Sequence, residues 1–458
     1  MLFHSWHFAI FFIVVYSIYL PLRRTRFYVY WLLAASYFFY GWWNPYYLLI
    51  ILYSTAANYF AVLFMQRSQR KKLWLIVGIV NSLGLLGFFK YSVFVVDNLN
   101  AVLSLMKVSY AIPKPGMLFP VGISFFTFQA LSYTIDFYRG KAEKEPNFFR
   151  FATFVALFPR LLAGPIERAG NLLPQLRKKP EIRMQNVTDG LSLFVVGLFK
   201  KVALADFLAL YVDKIYAAPD LASGLALMLA TFAFCWQIYF DFSGYTDMAR
   251  GIARMMGFNL MLNFNNPYLA TGLGDFWGRW HISLSSWFKD YLYIPLGGNR
   301  KGNFNTYRNM FITMVVSGLW HGAAWTFVIW GALHAFGRFL TRELERTEFY
   351  QNKVPKIVKQ ICVFIFVTFA WIFFRAETLG DALVVVKGIF TSGLADPAFP
   401  LLALFFCLSV WVYQFLFESR VRKALDWTPL KIAIICLMIL YIIIFTGSSN
   451  EQFIYLQF

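Results

Sequence analysis

YYLLIILYSTAANYFAVLF, residues 46–64, carries no charged side chain and approaches the roughly 20 apolar residues that take an α-helix across a bilayer. The uncharged turn Trp42-Trp43-Asn44-Pro45 joins it to an earlier apolar run, FYVYWLLAASYFFYGWW from residue 27. Arg23, Arg24 and Arg26 precede that run, and Arg67, Arg70, Lys71 and Lys72 follow the later one. A helical hairpin therefore returns both basic loops to one side of the membrane. Loops rich in Lys and Arg face the cytoplasm, which places the N-terminus outside.

The same texture runs through the chain. Apolar runs recur as HFAIFFIVVYSIYL from 7, KLWLIVGIVNSLGLLGFF from 72, LALMLATFAFCWQIYFDF from 225, KQICVFIFVTFAWIFF from 359, FPLLALFFCLSVWVYQFLF from 399 and KIAIICLMILYIIIF from 431. Of 458 residues, 59% are hydrophobic and 14% charged, against about a quarter charged in soluble domains. The first run has no basic n-region and no small-residue cleavage site, so it is read as a retained helix. Lys plus Arg exceed Asp plus Glu by 42 to 23. Basic loops, including Arg177, Lys178, Lys179 and Arg183, account for that excess without a nucleic-acid partner. Arg420, Arg422 and Lys423 precede the last run, which predicts SSNEQFIYLQF (448–458) outside as well.

The expected fold is an all-α, polytopic integral membrane protein with about 11–12 hydrophobic helices plus short broken or re-entrant ones. It is read as a single domain over 1–458, with plain spans in 1–106, a motif-bearing core in 113–345 and ordinary spans again in 355–458. Pro, Gly and charge interrupt the apolar segments of the core. Such breaks at membrane depth are tolerated only where the backbone is buried in protein or lines a wet cavity, so the site is expected there.

Three stretches of the core carry chemistry. In GDFWGRWHISLSSWFKDYLYIPLGGNRKG (274–302), helical spacing puts Trp277, Trp280, His281, Leu284 and Phe288 on one face, with Asp275, Arg279, Ser286, Lys289 and Asp290 elsewhere. Pro295, Gly297 and Gly298 then release the chain into Asn299-Arg300-Lys301. The plain alternative is an amphipathic helix at the membrane surface. In SGLWHGAAW (317–325), His321 follows Trp320 among Ser317, Gly318, Gly322, Ala323 and Ala324, small residues that let helices pack closely. An ionisable group enclosed there is a functional candidate; the alternative is a neutral imidazole bonding across helices. His334 lies 13 residues further on, about 220° round a straight helix, off the face of His321. In WQIYFDFSGYTDMARGIARMMGFNL (236–260), Asp241 and Asp247 flank a Gly and could orient a base or bind a hydroxyl. Such acids more often pair with cations, here Arg250, Arg254 or Arg279. Glu167, Arg168, Lys200 and Lys201 read as snorkelling or loop charges. The cysteines 235, 362, 407 and 436 stand singly in apolar runs, which argues for packing and against a disulfide or metal site. No G-x-S-x-G, Walker A, H-E-x-x-H or Rossmann pattern occurs.

DFWGRWHISLSSWFKDYLYIPLGGNRKG (275–302) followed by SGLWHG (317–322) resembles the membrane-bound O-acyltransferase family, nearest its bacterial alginate O-acetylation branch, which has peptidoglycan- and cellulose-acetylating relatives. FPRLLAGPIERA (158–169), YFDFSGYTDMARG (239–251), NFNNPY (263–268) and FIYLQF (453–458) extend the likeness over nearly the whole chain; the teichoic-acid D-alanylating branch fits less well. The resemblance implies helices around a central funnel with a tunnel, and His321 and His281 as catalytic residues. His334 matches the histidine of the family's next motif, although Ala335 replaces the glycine that follows it there, and only a packing or orienting role is expected of it. The resemblance further implies transfer of an acyl group, here acetyl, from a cytoplasmic thioester such as acetyl-CoA to hydroxyls of an extracytoplasmic polysaccharide. Transfer is direct or through an extracytoplasmic acetyltransferase- or esterase-like partner, with no bound cofactor, and the setting is a bacterial inner membrane. Trp280, Trp320, Asp241, Asp247, Asp275, Arg279, Lys289 and Asp290 are expected to bind or orient substrate. Arg300, Lys301 and Arg308 would attract an anionic donor, although positive-inside topology explains them equally. The competing class is a transporter or channel with a histidine-lined pathway, against which no inverted repeat is visible.

Overall fold

The computed structural model describes residues 1–116, 119–425 and 427–445, and among them it is helical throughout with no strand. Two compact units are formed, Met1–Leu191 with Ala249–Met261, and Ser192–Met248 with Leu262–Phe458. Helices α1 (Trp6–Leu22), α2 (Tyr28–Gly41), α3 (Tyr47–Arg67), α4 (Lys71–Leu105), α5 (Ile123–Tyr138), α6 (Phe148–Ala156), α7 (Ala169–Arg177) and the start of α8 (Met184–Leu198) build the first unit. The second holds α9 (Asp206–Tyr216), most of α10 (Gly224–Met255), α11 (Leu273–Arg279), α12 (Ile282–Phe288), α13 (Gly302–His321), α14 (Trp325–Leu344), α15 (Lys356–Arg375), α16 (Leu379–Thr391), α17 (Leu401–Glu418), α18 (Arg422–Leu425) and α19 (Thr428–Phe445).

Six of the described helices, α3, α4, α10, α15, α17 and α19, are long and apolar enough to cross a membrane. At about 1.5 Å per residue, α3 with 21 residues spans roughly the 30 Å hydrocarbon core. α4 with 35 residues and α10 with 32 overreach it and have to tilt or project. The multi-pass all-α architecture read from the sequence is thus the one observed. The C-terminal SSNEQFIYLQF, to which an outside location is assigned above, lies outside the described residues.

In the first unit, polar groups at membrane depth pair across helices. Asn58 on α3 donates to Ser82 on α4 at 3.1 Å and accepts from Thr134 on α5 at 2.7 Å. The FPRLLAGPIERA segment between α6 and α7 is buried almost entirely. Glu167, read above as a loop charge, is fully enclosed and accepts from Met261 N at 2.5 Å and Asn171 Nδ2 at 2.6 Å. A backbone too irregular to satisfy itself takes its missing partners from side chains.

In the second unit, α8 runs into α9 through a π-helical turn, Phe199–Ala205. Gly197 and Gly244 let that turn press on α10, for a Cβ on Gly197 would come 2.7 Å from Met248 N. Other π-helical turns follow α12, at Lys289–Tyr293, and α14, at Phe349–Lys353. Of α19, by contrast, no residue is buried.

Candidate functional site

The 274–302 stretch does not form the continuous helix that its spacing predicts. It breaks after Arg279, and α12 starts at Ile282 in a new direction. The pivot is His281, at φ 43° and ψ 52°, a left-handed conformation that is uncommon for a residue with a Cβ. The second histidine also sits at a helix end. His321 closes α13, Gly322 takes extended angles, and the chain re-enters a helix at Trp325. Small residues make that hairpin tight: a Cβ on Gly331 of α14 would lie 2.9 Å from Val315 Cα of α13.

These two breaks bring the imidazoles together. The His281 and His321 ring centroids are 6.4 Å apart, and Trp320 lies 6.1 Å from the first and 5.0 Å from the second. Phe242 of α10 covers His281 at 4.6 Å, and Phe374 of α15 covers His321 at 5.3 Å. His334 joins the cluster through Trp330, whose ring centroid is 5.2 Å from His321 and 4.7 Å from His334. The straight-helix geometry that separates His334 from His321 does not apply, because the chain folds back between them. All three imidazoles are at most 4% exposed. Trp280 completes the wall, 5.1 Å from Trp371 and 1% exposed. Burial pushes the imidazolium of His281, which lies outside the six spanning helices, down from 6.5 to about 3.

A cavity of about 590 Å³ opens beside this cluster, its lining including Trp277, Thr313, Ser317, Lys289, Arg338 and Arg342. That volume falls in the range of small-molecule sites. Trp277 stands 5.0 Å from His334, and Ser317 precedes His321 by one turn of α13. The cavity's cations are therefore Lys289, Arg338 and Arg342, and it is not lined by Arg300, Lys301 or Arg308. Arg338 pairs with Glu345 at 2.9 Å, and Arg342 lies 5.6 Å from the Tyr307 ring.

Asp275 holds Arg279 at 2.7 Å, and Arg279 also reaches Glu418 at 2.5 Å. Asp290 lies in the π-helical turn after α12. Asp241 and Asp247 each pair with a lysine. Lys201 sits 2.8 Å from both Asp241 and Asp206, and Lys200 sits 2.7 Å from Asp247. Lys201 is 3% exposed and is neither a loop charge nor a snorkelling one. The doublet KK at 200–201 gives no hint of this, because the π turn that fans the two lysines apart has no sequence signature. Trp330, Arg338 and Arg342 also escaped sequence reasoning, lacking any pattern apart from ordinary helix faces.

The profile of the membrane-bound O-acyltransferase family matches residues 138–379, and that stretch contains every imidazole, aromatic wall and cavity residue just described. The chain belongs to the membrane-bound O-acyltransferase family. Among its relatives, the probable alginate O-acetylase AlgI of Pseudomonas putida is 44% identical over 71% of this chain and 66% of its own length. The corresponding Pseudomonas aeruginosa protein is 43% identical over 71% of this chain and 62% of its own. The aligned stretch thus spans just under two thirds of these alginate relatives. The peptidoglycan O-acetyltransferase of Helicobacter pylori is 34% identical over 88% of this chain and 86% of its own. In this acyltransferase-family chain no group of three or more His, Cys, Asp or Glu side chains able to hold a metal occurs among the described residues.

Proposed function

We propose that the chain is an O-acyltransferase that moves an acetyl group from a cytoplasmic thioester toward hydroxyls of an extracytoplasmic polysaccharide, directly or through a partner protein. The observation that carries this is the convergence of His281 and His321, 6.4 Å apart at two helix breaks and walled by tryptophan. Alcoholysis of a thioester requires a base for the hydroxyl proton and a donor for the oxyanion. His321 takes the hydroxyl proton as the oxygen attacks the thioester carbonyl. The C–O bond forms, the C–S bond breaks, and the proton passes on to the leaving thiolate. A neutral His281 fits the oxyanion role, because an imidazole N–H donates without carrying charge. Trp280 and Trp320 shape the space around the reacting carbon. Asp275 and Arg279 fix α11, and Asp290 adjoins the donor cavity's Lys289. Asp241 and Asp247 act through the lysines they hold.

The cavity supports an anionic donor such as acetyl-CoA. Lys289, Arg338 and Arg342 offer positive charge to phosphates, and the same lining includes Trp277, which touches His334, and Ser317, one turn before His321. A polysaccharide of alginate type is the acceptor favoured by the identity of the Pseudomonas relatives. Peptidoglycan is the second reading, favoured by the wider cover of the Helicobacter protein. The setting is a bacterial inner membrane.

His321→Ala is expected to abolish transfer from labelled acetyl-CoA while the protein still inserts, a loss on the order of 10²-fold or more for a general base. Normal polymer acetylation by a well-inserted variant would remove the assignment. Arg342→Ala should raise the donor KM with little change in kcat, since it removes binding common to ground and transition states.

A further inference from the structure

The left-handed turn at His281 requires a cause, because L-residues with a Cβ disfavour it and the flanking sequence is compatible with one uninterrupted helix. The cause lies in NFNNPY. Asn263 is fully buried, and its main-chain oxygen accepts from Ile282 N at 2.9 Å. Its amide Oδ1 accepts from Ser283 N at 3.1 Å and from Ser283 Oγ at 2.8 Å. Two residues on, Asn265 N donates to Arg279 O at 2.9 Å. The 263–265 strip thus brackets the turn on both sides of His281. A helix starts with N–H groups that have no partner within it, and the N-cap side chain ordinarily supplies one. Here His281 occupies the N-cap of α12 and makes no such bond. Asn263 takes over that duty from a distant part of the chain. The orientation of its amide is fixed by chemistry, since only oxygen can face the Ser283 N–H.

We propose that Asn263 is a positioning residue for His281, capping α12 from outside the helix so that His281 stays left-handed with its ring toward His321. Without this bracket, residues 279–283 relax toward a right-handed helix and the imidazole turns away from the reacting centre. The proposal rests on the assignment of His281 to acyl transfer.

The test uses the full-length chain in detergent or nanodiscs, with Asn263→Leu, which loses the acceptor, and Asn263→Asp, which keeps it. Thioester kinetics with acetyl-CoA are expected to show a kcat reduced on the order of 10²-fold in Asn263→Leu, as for a displaced catalytic group, with KM within about twofold. Asn263→Asp should keep activity within about tenfold of wild type, the acceptor oxygen being restored. Thermal unfolding supplies a readout independent of activity. Glycine adopts positive φ without penalty, so in a His281→Gly background the melting-temperature decrement of Asn263→Leu should fall to about half or less of its value beside histidine. Equal decrements in both backgrounds would overturn the proposal, as would a kcat for Asn263→Leu within about threefold of wild type. Should Asn263→Leu fail to insert, Asn263→Asp decides: inactivity with an intact fold counts against the acceptor role, and retained activity supports it. If the wild type turns over no thioester, the acyltransfer assignment fails, and the melting cycle alone judges Asn263.

Discussion

At the scale of single residues, burial controls protonation. His281 has its pKa lowered from 6.5 to about 3, so the folded protein keeps it neutral where the unfolded chain would take up a proton. The linked stability is present above about pH 6.5 and is lost as pH falls toward 3. Melting temperatures measured from about pH 7 to pH 4 should therefore drop, and His281→Gln should make the drop shallower; an unchanged slope would show that other groups set it. Lys201 follows a different rule. It is held between Asp206 and Asp241 with 3% exposure, and breaking a buried pair by removing one partner costs about 3–5 kcal/mol. Lys201→Met should therefore destabilise the protein by that order in denaturant unfolding. His321 stands out as a candidate in the sequence, because an imidazole in an apolar, small-residue setting demands compensation, whereas His281 is singled out by the family resemblance. Lys201 and Asn263 do not stand out, since partners 40 and 20 positions away leave no trace in local composition.

At the scale of elements, the site depends on interruptions. α11 and α12 are seven residues each, too short to hold themselves in water and stabilised by what surrounds them. Periodicity shows that a segment can be helical but is silent on where a left-handed residue stops it, which is why 274–302 read as one helix. The break after His321 is not legible either: Gly322, Ala323 and Ala324 read as close-packing residues, and its consequence is to set His334 against Trp330. The α13–α14 hairpin relies on Gly318 and Gly331: a Cβ on Gly318 would lie 3.1 Å from the Phe327 carbonyl carbon. Gly331→Val should force the helices apart and lower both the melting temperature and turnover, whereas Ala332→Val on the same helix, at a partly exposed position, should be mild.

At the scale of the whole molecule, hydropathy made the membrane class and all-α fold plain, because spanning runs are set by bilayer thickness and tertiary packing does not mask them. The basic loops predict a sidedness that labelling can test. Single cysteines placed at residues 25 and 69 should be shielded from a membrane-impermeant thiol reagent in intact cells, and one at residue 44 should be labelled; the reverse pattern would invert the orientation. α19 has a different relation to its sequence. None of its residues is buried, and its aromatic neighbours are met through Tyr441, at 5.6 Å from Phe199 and 5.4 Å from Phe406. Lipid contacts make no demand on shape, so one apolar side chain along this helix can substitute for another. Over evolutionary time Ile, Leu and Val should interchange freely over most of it while the span keeps its length, so that selection there acts on composition, whereas at Tyr441 it acts on residue identity.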